Sequence, residues 1–176
     1  MSKITYQDLQ LALDAARRNF QGYHSECVLF AASFTRGLVE YANWPRDQVE
    51  YEGVDPAGSA SAVTQKPEEA MRLDEDGFWH FGLRLAIQGP KSRDGIRLKV
   101  KFKKLDTRYI MSLFGGEDFE VAAPTPENLA PVFEAILSAV KRHYDYGLRL
   151  FLENGGRGLK IPISAHRLSE LSRSGS

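Results

Sequence analysis

The sequence predicts an α+β fold: a two-layer sandwich in which an antiparallel meander of about four or five strands is covered on one face by N-terminal helices and a long C-terminal helix. Three observations carry this. Two adjacent central runs alternate strictly between apolar and polar residues. The first segment repeats its apolar residues at three and four positions behind a capping signal. The last third holds a capped apolar stripe too long for a strand.

In the first segment, Thr5 is the N-cap residue and Asp8 the acid of a capping box, with Ile4 and Leu9 spaced as a hydrophobic staple. Leu9, Leu13, Ala16 and Phe20 follow at helical spacing, and Gly22 reads as the stop. Residues 25–43 are ambiguous. Cys27 to Ala32 would suit a buried strand, whereas Phe30, Phe34, Leu38 and Tyr41 keep helical spacing. A second helix is favoured because the run is long for a strand, although Gly37 weakens it. Trp44-Pro45 ends the element.

Gln48–Glu52 reads as a short edge strand, and Ala57–Ala62 as a flexible loop. After the Asp76-Gly77 turn, Trp79, Phe81, Leu83, Leu85 and Ile87 alternate with small or polar residues. Beyond a loop, Ile96, Leu98, Val100 and Phe102 alternate with Arg97, Lys99, Lys101 and Lys103. Two such runs make antiparallel strands with one buried face. Matching those faces suggests pairing Leu85 with Leu98 and Phe81 with Phe102. Leu105-Asp106 turns the chain, and Tyr109, Met111 and Leu113 continue the buried face. Gly115-Gly116 is a further turn or bulge, followed by Phe119 and Val121 in a last strand. Thr125 and Pro126 open the final helix, whose stripe runs from Leu129 to Phe151 and ends at Asn154-Gly155-Gly156. Residues 1–164 are expected to form one domain, and 165–176 a frayed polar tail.

Composition narrows the function classes. The 176 residues are 43% hydrophobic, with ten Phe and seven Tyr, so the chain is globular in type. Lys plus Arg and Asp plus Glu number 23 each, which removes any global attraction to nucleic acid or an anionic membrane. Cys27 is the only cysteine, which rules out an internal disulfide and fits a reducing compartment. Neither a secretory signal nor a membrane-length apolar run is visible, so a cytoplasmic location without membrane contact is expected.

The sharpest candidate site is the polar face of the predicted sheet. In the register above, Arg84 opposes Lys99 and His80 opposes Lys103, with Arg97 and Lys101 beside them and Arg108 joining from the next strand. Like charges face to face destabilise a sheet unless they are neutralised nearby or used. Glu68, Glu69, Asp74 and Glu75 are close in sequence for the first purpose; a small anionic ligand or an acidic protein partner would serve the second. Nucleic acid is less favoured, since only Phe78 and Phe114 could offer stacking surfaces on that face.

The histidines His24, His80, His143 and His166 have no metal-ligand spacing, so no metal and no cofactor is expected. Cys27 opens an apolar run and reads as a buried structural residue more than as a nucleophile activated by His24. Gly155-Gly156-Arg157-Gly158 follows a helix and lacks the strand-before, helix-after setting of a phosphate loop. No motif carries a resemblance to a known family. The favoured reading is therefore a non-catalytic cytosolic binding or adaptor protein that uses the basic sheet face or an apolar helix surface. The alternative is a small-ligand carrier or enzyme with a pocket between the C-terminal helix and the sheet, lined by Trp79, Phe81, Tyr109 and Met111. A C-terminal helix longer than the sheet also suggests a homodimer through Tyr146, Leu148, Leu150, Phe151 and Leu152.

Overall fold

Thr5 opens the first helix. Its hydroxyl accepts a hydrogen bond from the Asp8 amide, and the Asp8 carboxylate accepts one from the Thr5 amide. The structure, a computed structural model, describes residues 3–54, 60–87, 95–113 and 117–153. Helix α1 runs without a break over Tyr6–Tyr41, ~54 Å at 1.5 Å per residue. The two N-terminal helices expected from the sequence are thus one. Gly22 does not stop the helix: a glycine costs a helix interior only ~1 kcal/mol, and the three-and-four spacing of apolar residues continues across it from Phe20 through Tyr23 to Cys27. Residues 25–41 are helical, as favoured. The helix ends where Asn43 turns left-handed, with φ 49°, and the Trp44 amide bonds back to the Val39 carbonyl.

Seven strands follow among the described residues, against the four or five expected: β1 (Val49–Val54), β2 (Ala60–Thr64), β3 (Arg72–Leu73), β4 (Trp79–Ala86), β5 (Gly95–Leu105), β6 (Arg108–Leu113) and β7 (Glu117–Val121). A short helix, α2 (Pro67–Ala70), precedes β3. The order is β2-β1-β4-β5-β6-β7, with every pairing antiparallel and the two-residue β3 on β4 in line with β1. β1 is therefore an inner strand, not the edge strand its length suggested. β2 covers it, a strand too poor in large apolar side chains to be seen in the sequence. Residues 55–59, the turn around Gly115-Gly116 and everything beyond residue 153 lie outside the described residues; of the run Ala57–Ala62, expected to be a loop, the second half instead opens β2.

The central pairing keeps the predicted faces but not the predicted register. Leu83 opposes Leu98, Phe81 opposes Val100 and Trp79 opposes Phe102. Each partner is two residues from the expected one. A slip of two preserves which side chains point inward, so matching apolar faces cannot exclude it.

Helix α3 (Pro126–Glu153) returns over the same side of the sheet as α1. The core lies between. Phe30 of α1 stacks on Tyr109 at 4.0 Å and meets Phe102 at 4.7 Å. Phe34 sits between Phe81 and Phe133. From α3, Leu129, Val132, Phe133 and Ile136 are fully buried. Burial of α1 begins at Cys27; the half before it is exposed, with Leu9, Leu13 and Phe20 each more than half accessible. Among the described residues, no helix is long and apolar enough to cross a membrane.

Candidate functional site

The outer face of the sheet takes its character from β5. Successive side chains of a strand point to opposite faces. Hence Ile96, Leu98, Val100 and Phe102 are buried against the helices, while Arg97, Lys99, Lys101 and Lys103 share the other side. On the neighbouring β4, His80 and Arg84 share that side with Gly82 between them. All six predicted basic-face residues therefore lie on one face. Their cross-strand partners differ from the expected ones: Arg84 opposes Arg97, His80 opposes Lys101, and Lys99 faces Gly82. A side chain at Gly82 would meet the Glu52 carbonyl oxygen at 2.8 Å, so β1 leaves no room for one there.

Acids from the flanking strands and turn meet most of these bases. Glu50 pairs with Arg84 at 3.1 Å and Glu52 with Arg97 at 3.4 Å, both from β1. Asp76 pairs with Lys101 at 2.6 Å, and Glu120 of β7 with Arg108 at 2.8 Å. The sequence pointed to Glu68, Glu69, Asp74 and Glu75 for this role. Of these only Asp74 reaches the face, 3.6 Å from His80. Partners on β1 and β7 were hidden because strand order, not sequence distance, decides which acids sit beside a base. Glu52 is the extreme case: it is 5% exposed, and Arg97 is its ion-pair partner.

Two lysines remain without an acid among the described residues. Lys99 is exposed on the open side of Gly82. Lys103 holds its ammonium 4.5 Å from the centre of the Phe78 ring, and Lys101 stands at the same distance from that ring. Phe78 is thus half-buried beneath two cations. Phe114 lies outside the described residues.

The turn before β4 brings Asp74, Asp76 and His80 together, with potential ligand atoms within 4.8 Å of one another. Sequence spacing gave no hint of this cluster, because a β-turn and not a helical repeat assembles it. Lys101 is the cation already held there, and its hydrogen bond keeps the Asp76 carboxyl below its usual range. Burial, and secondarily the Lys101 charge, push His80 below the ordinary histidine value.

The four residues proposed to line a pocket are core residues. Trp79, Phe81, Tyr109 and Met111 are all buried, and Phe30 and Phe34 of α1 pack against Tyr109 and Phe81 respectively. Cys27 is wholly buried beneath Tyr23 and Trp79, and burial pushes its thiol up, the opposite of what a nucleophile needs. His24 lies against the Trp79 ring, 5.1 Å between centres. Tyr146 of α3 is exposed; the side chains of His143, Leu148, Leu150, Phe151 and Leu152, together with His166 and the Gly155–Gly158 run, lie outside the described residues.

No protein-family model matches this chain, and no curated protein or solved structure gives a match.

Proposed function

We propose that the protein is a non-catalytic binding module whose outer sheet face engages an extended acidic segment of a protein partner. The observation that carries this reading is the row on β5, where, among the described residues, Lys99 stands without an acid and Lys103 meets the Phe78 ring and no acid. Four residues apart on one strand, the two lysines are ~13 Å from each other. That spacing suits carboxylates carried along an extended chain better than a single compact anion. Between them, Lys101 can exchange its Asp76 partner for an incoming carboxylate at small cost, since partly exposed ion pairs contribute only ~0–1 kcal/mol. The packed helix–sheet interface favours an outer surface over an internal pocket as the place of binding.

The test is fluorescence anisotropy of a labelled glutamate-rich peptide at low and moderate salt. Binding that weakens with salt, and that falls at least tenfold in Lys99→Glu plus Lys103→Glu, supports the reading. Binding unchanged by the double reversal, or no binding at low salt, overturns it.

A further inference from the structure

β5 is longer than either strand beside it. β4 pairs with it from Gly95 to Phe102, whereas β6 pairs only from Lys101 to Leu105. Among the described residues, the β6 side of Gly95–Val100 therefore has no strand next to it. The β5–β6 hairpin decides which backbone groups look out there. Asp106 and Thr107 make a two-residue turn, with Asp106 left-handed at φ 51°, and Leu105 opposes Arg108 across it. The pair flanking such a turn exchanges its hydrogen bonds, and hydrogen-bonded positions then alternate along the strand. Leu105, Lys103 and Lys101 thus turn their N–H and C=O groups to β6. By the same parity Gly95, Arg97 and Lys99 turn theirs to the open side, while Ile96 and Leu98 turn theirs to β4.

We propose that this stretch of β5 takes up a further strand from a protein partner, antiparallel to it and with acidic residues at alternate positions. The inference rests on the acid-binding reading of the outer face and adds how the segment is held. Charge picks both the edge and the occupant. β2 and β7 end the sheet. β2, Ala60–Thr64, carries no charge, and β7 carries Glu117, Asp118 and Glu120, which repel an acidic chain. Beside the open stretch of β5 stand Arg97, Lys99 and Lys101, and Lys99 meets no acid among the described residues. A lysine on a strand edge discourages pairing with neutral or basic strands, but it attracts an acidic one. In an antiparallel pair the residue opposite Lys99 exchanges backbone hydrogen bonds with it and shares its face, with Cβ atoms ~5 Å apart. A carboxylate at that position supplies the missing partner. The intervening residues of the added strand point to the helix side, next to the buried Leu98 and Val100, so apolar side chains suit them. Past Val100, β6 occupies the edge and the helices fill the inner face, so the segment continues over the outer face towards Lys101 and Lys103. The backbone bonds hold the partner, and the alternation of acidic and apolar side chains selects it.

Amide hydrogen exchange of the full chain, followed by NMR with a peptide of alternating valine and glutamate as the probe, tests this. On binding, exchange at the Gly95, Arg97 and Lys99 amides should slow about tenfold or more, while Ile96 and Leu98 change little. Methylating the backbone nitrogens of the peptide's glutamates should weaken binding at least about tenfold, since those N–H groups face β5. Methylating those of its valines should matter much less. Lys99→Glu should remove binding of the unmodified peptide. Binding without added protection at Gly95, Arg97 and Lys99, or without a preference for the valine-methylated peptide, overturns the added strand and leaves the outer face as the acid-binding surface. Wild-type affinity in Lys99→Glu overturns it as well. No binding of the unmodified peptide at low salt overturns the underlying reading together with this one.

Discussion

Gly37 of α1 lies so close to Phe133 of α3 that a methyl group at position 37 would stand 2.9 Å from the far edge of the ring. Phe133 cannot simply swing away, since it is buried between Phe34 and Tyr41. The residue that weakened the helix assignment in the sequence is the one that lets the two helices meet. Gly37→Ala should therefore lower stability by ~1 kcal/mol, because overpacking costs about 1–3 kcal/mol and helix propensity returns ~1 kcal/mol. Urea unfolding measures it.

Gly22 provides the opposite case. A methyl group there meets nothing within 4 Å, and the backbone is helical. Gly22→Ala should raise helicity and add up to ~1 kcal/mol. A loss of stability would show that the exposed half of α1 is not helical in solution.

The faces of β5 can be read by substitution. Leu98→Ala should cost ~2–5 kcal/mol, as expected for a buried leucine, and Lys99→Ala less than about 0.5 kcal/mol. Similar costs for the two would refute the assignment of inward and outward residues.

Arg97→Ala should be far more damaging than its partly exposed position suggests. It would leave the buried Glu52 carboxylate without its ion-pair partner, at ~2–3 kcal/mol. Pairing the change with Glu52→Gln should recover part of the loss, and a double-mutant cycle in urea measures the coupling.

His80 gives a pH dependence of definite sign. Its folded-state value lies below the ordinary ~6.5 of an unfolded histidine, so the unfolded chain binds the proton more readily. The stability that depends on its neutral form is complete above that unfolded value and is lost as pH falls through and below it. His80→Gln should flatten this part of the curve. A wild-type midpoint of thermal unfolding that rises as pH falls from neutral towards 5 would contradict the direction.

The faces of the central strands were legible because period two is a local property, carried by Leu83, Leu85, Leu98 and Val100 themselves. Their register was not, because a slip of two residues leaves the pattern intact and only the connection between β4 and β5 chooses among slips. The single α1 helix was misread at Gly22, where a local breaker was weighed without the apolar spacing running through it. The basic row was visible, whereas its neutralisation by Glu50 and Glu52 was not, since nothing local says that β1 lies beside β4.

The two tryptophans bracket β4. Trp44 donates its indole N–H to the carbonyl of Ala86 at the end of the strand, and Trp79 at its beginning is buried, its own N–H without a hydrogen-bond partner among the described residues. The central strand thus carries a fluorophore at each end in a different setting, one bonded and half-exposed, one buried. Replacing either by Phe isolates the other's emission, so the opening of each end of the sheet can be timed separately. Coincident traces would mean that the strand leaves the sheet as a single unit; a lag would reveal which end of the strand lets go first.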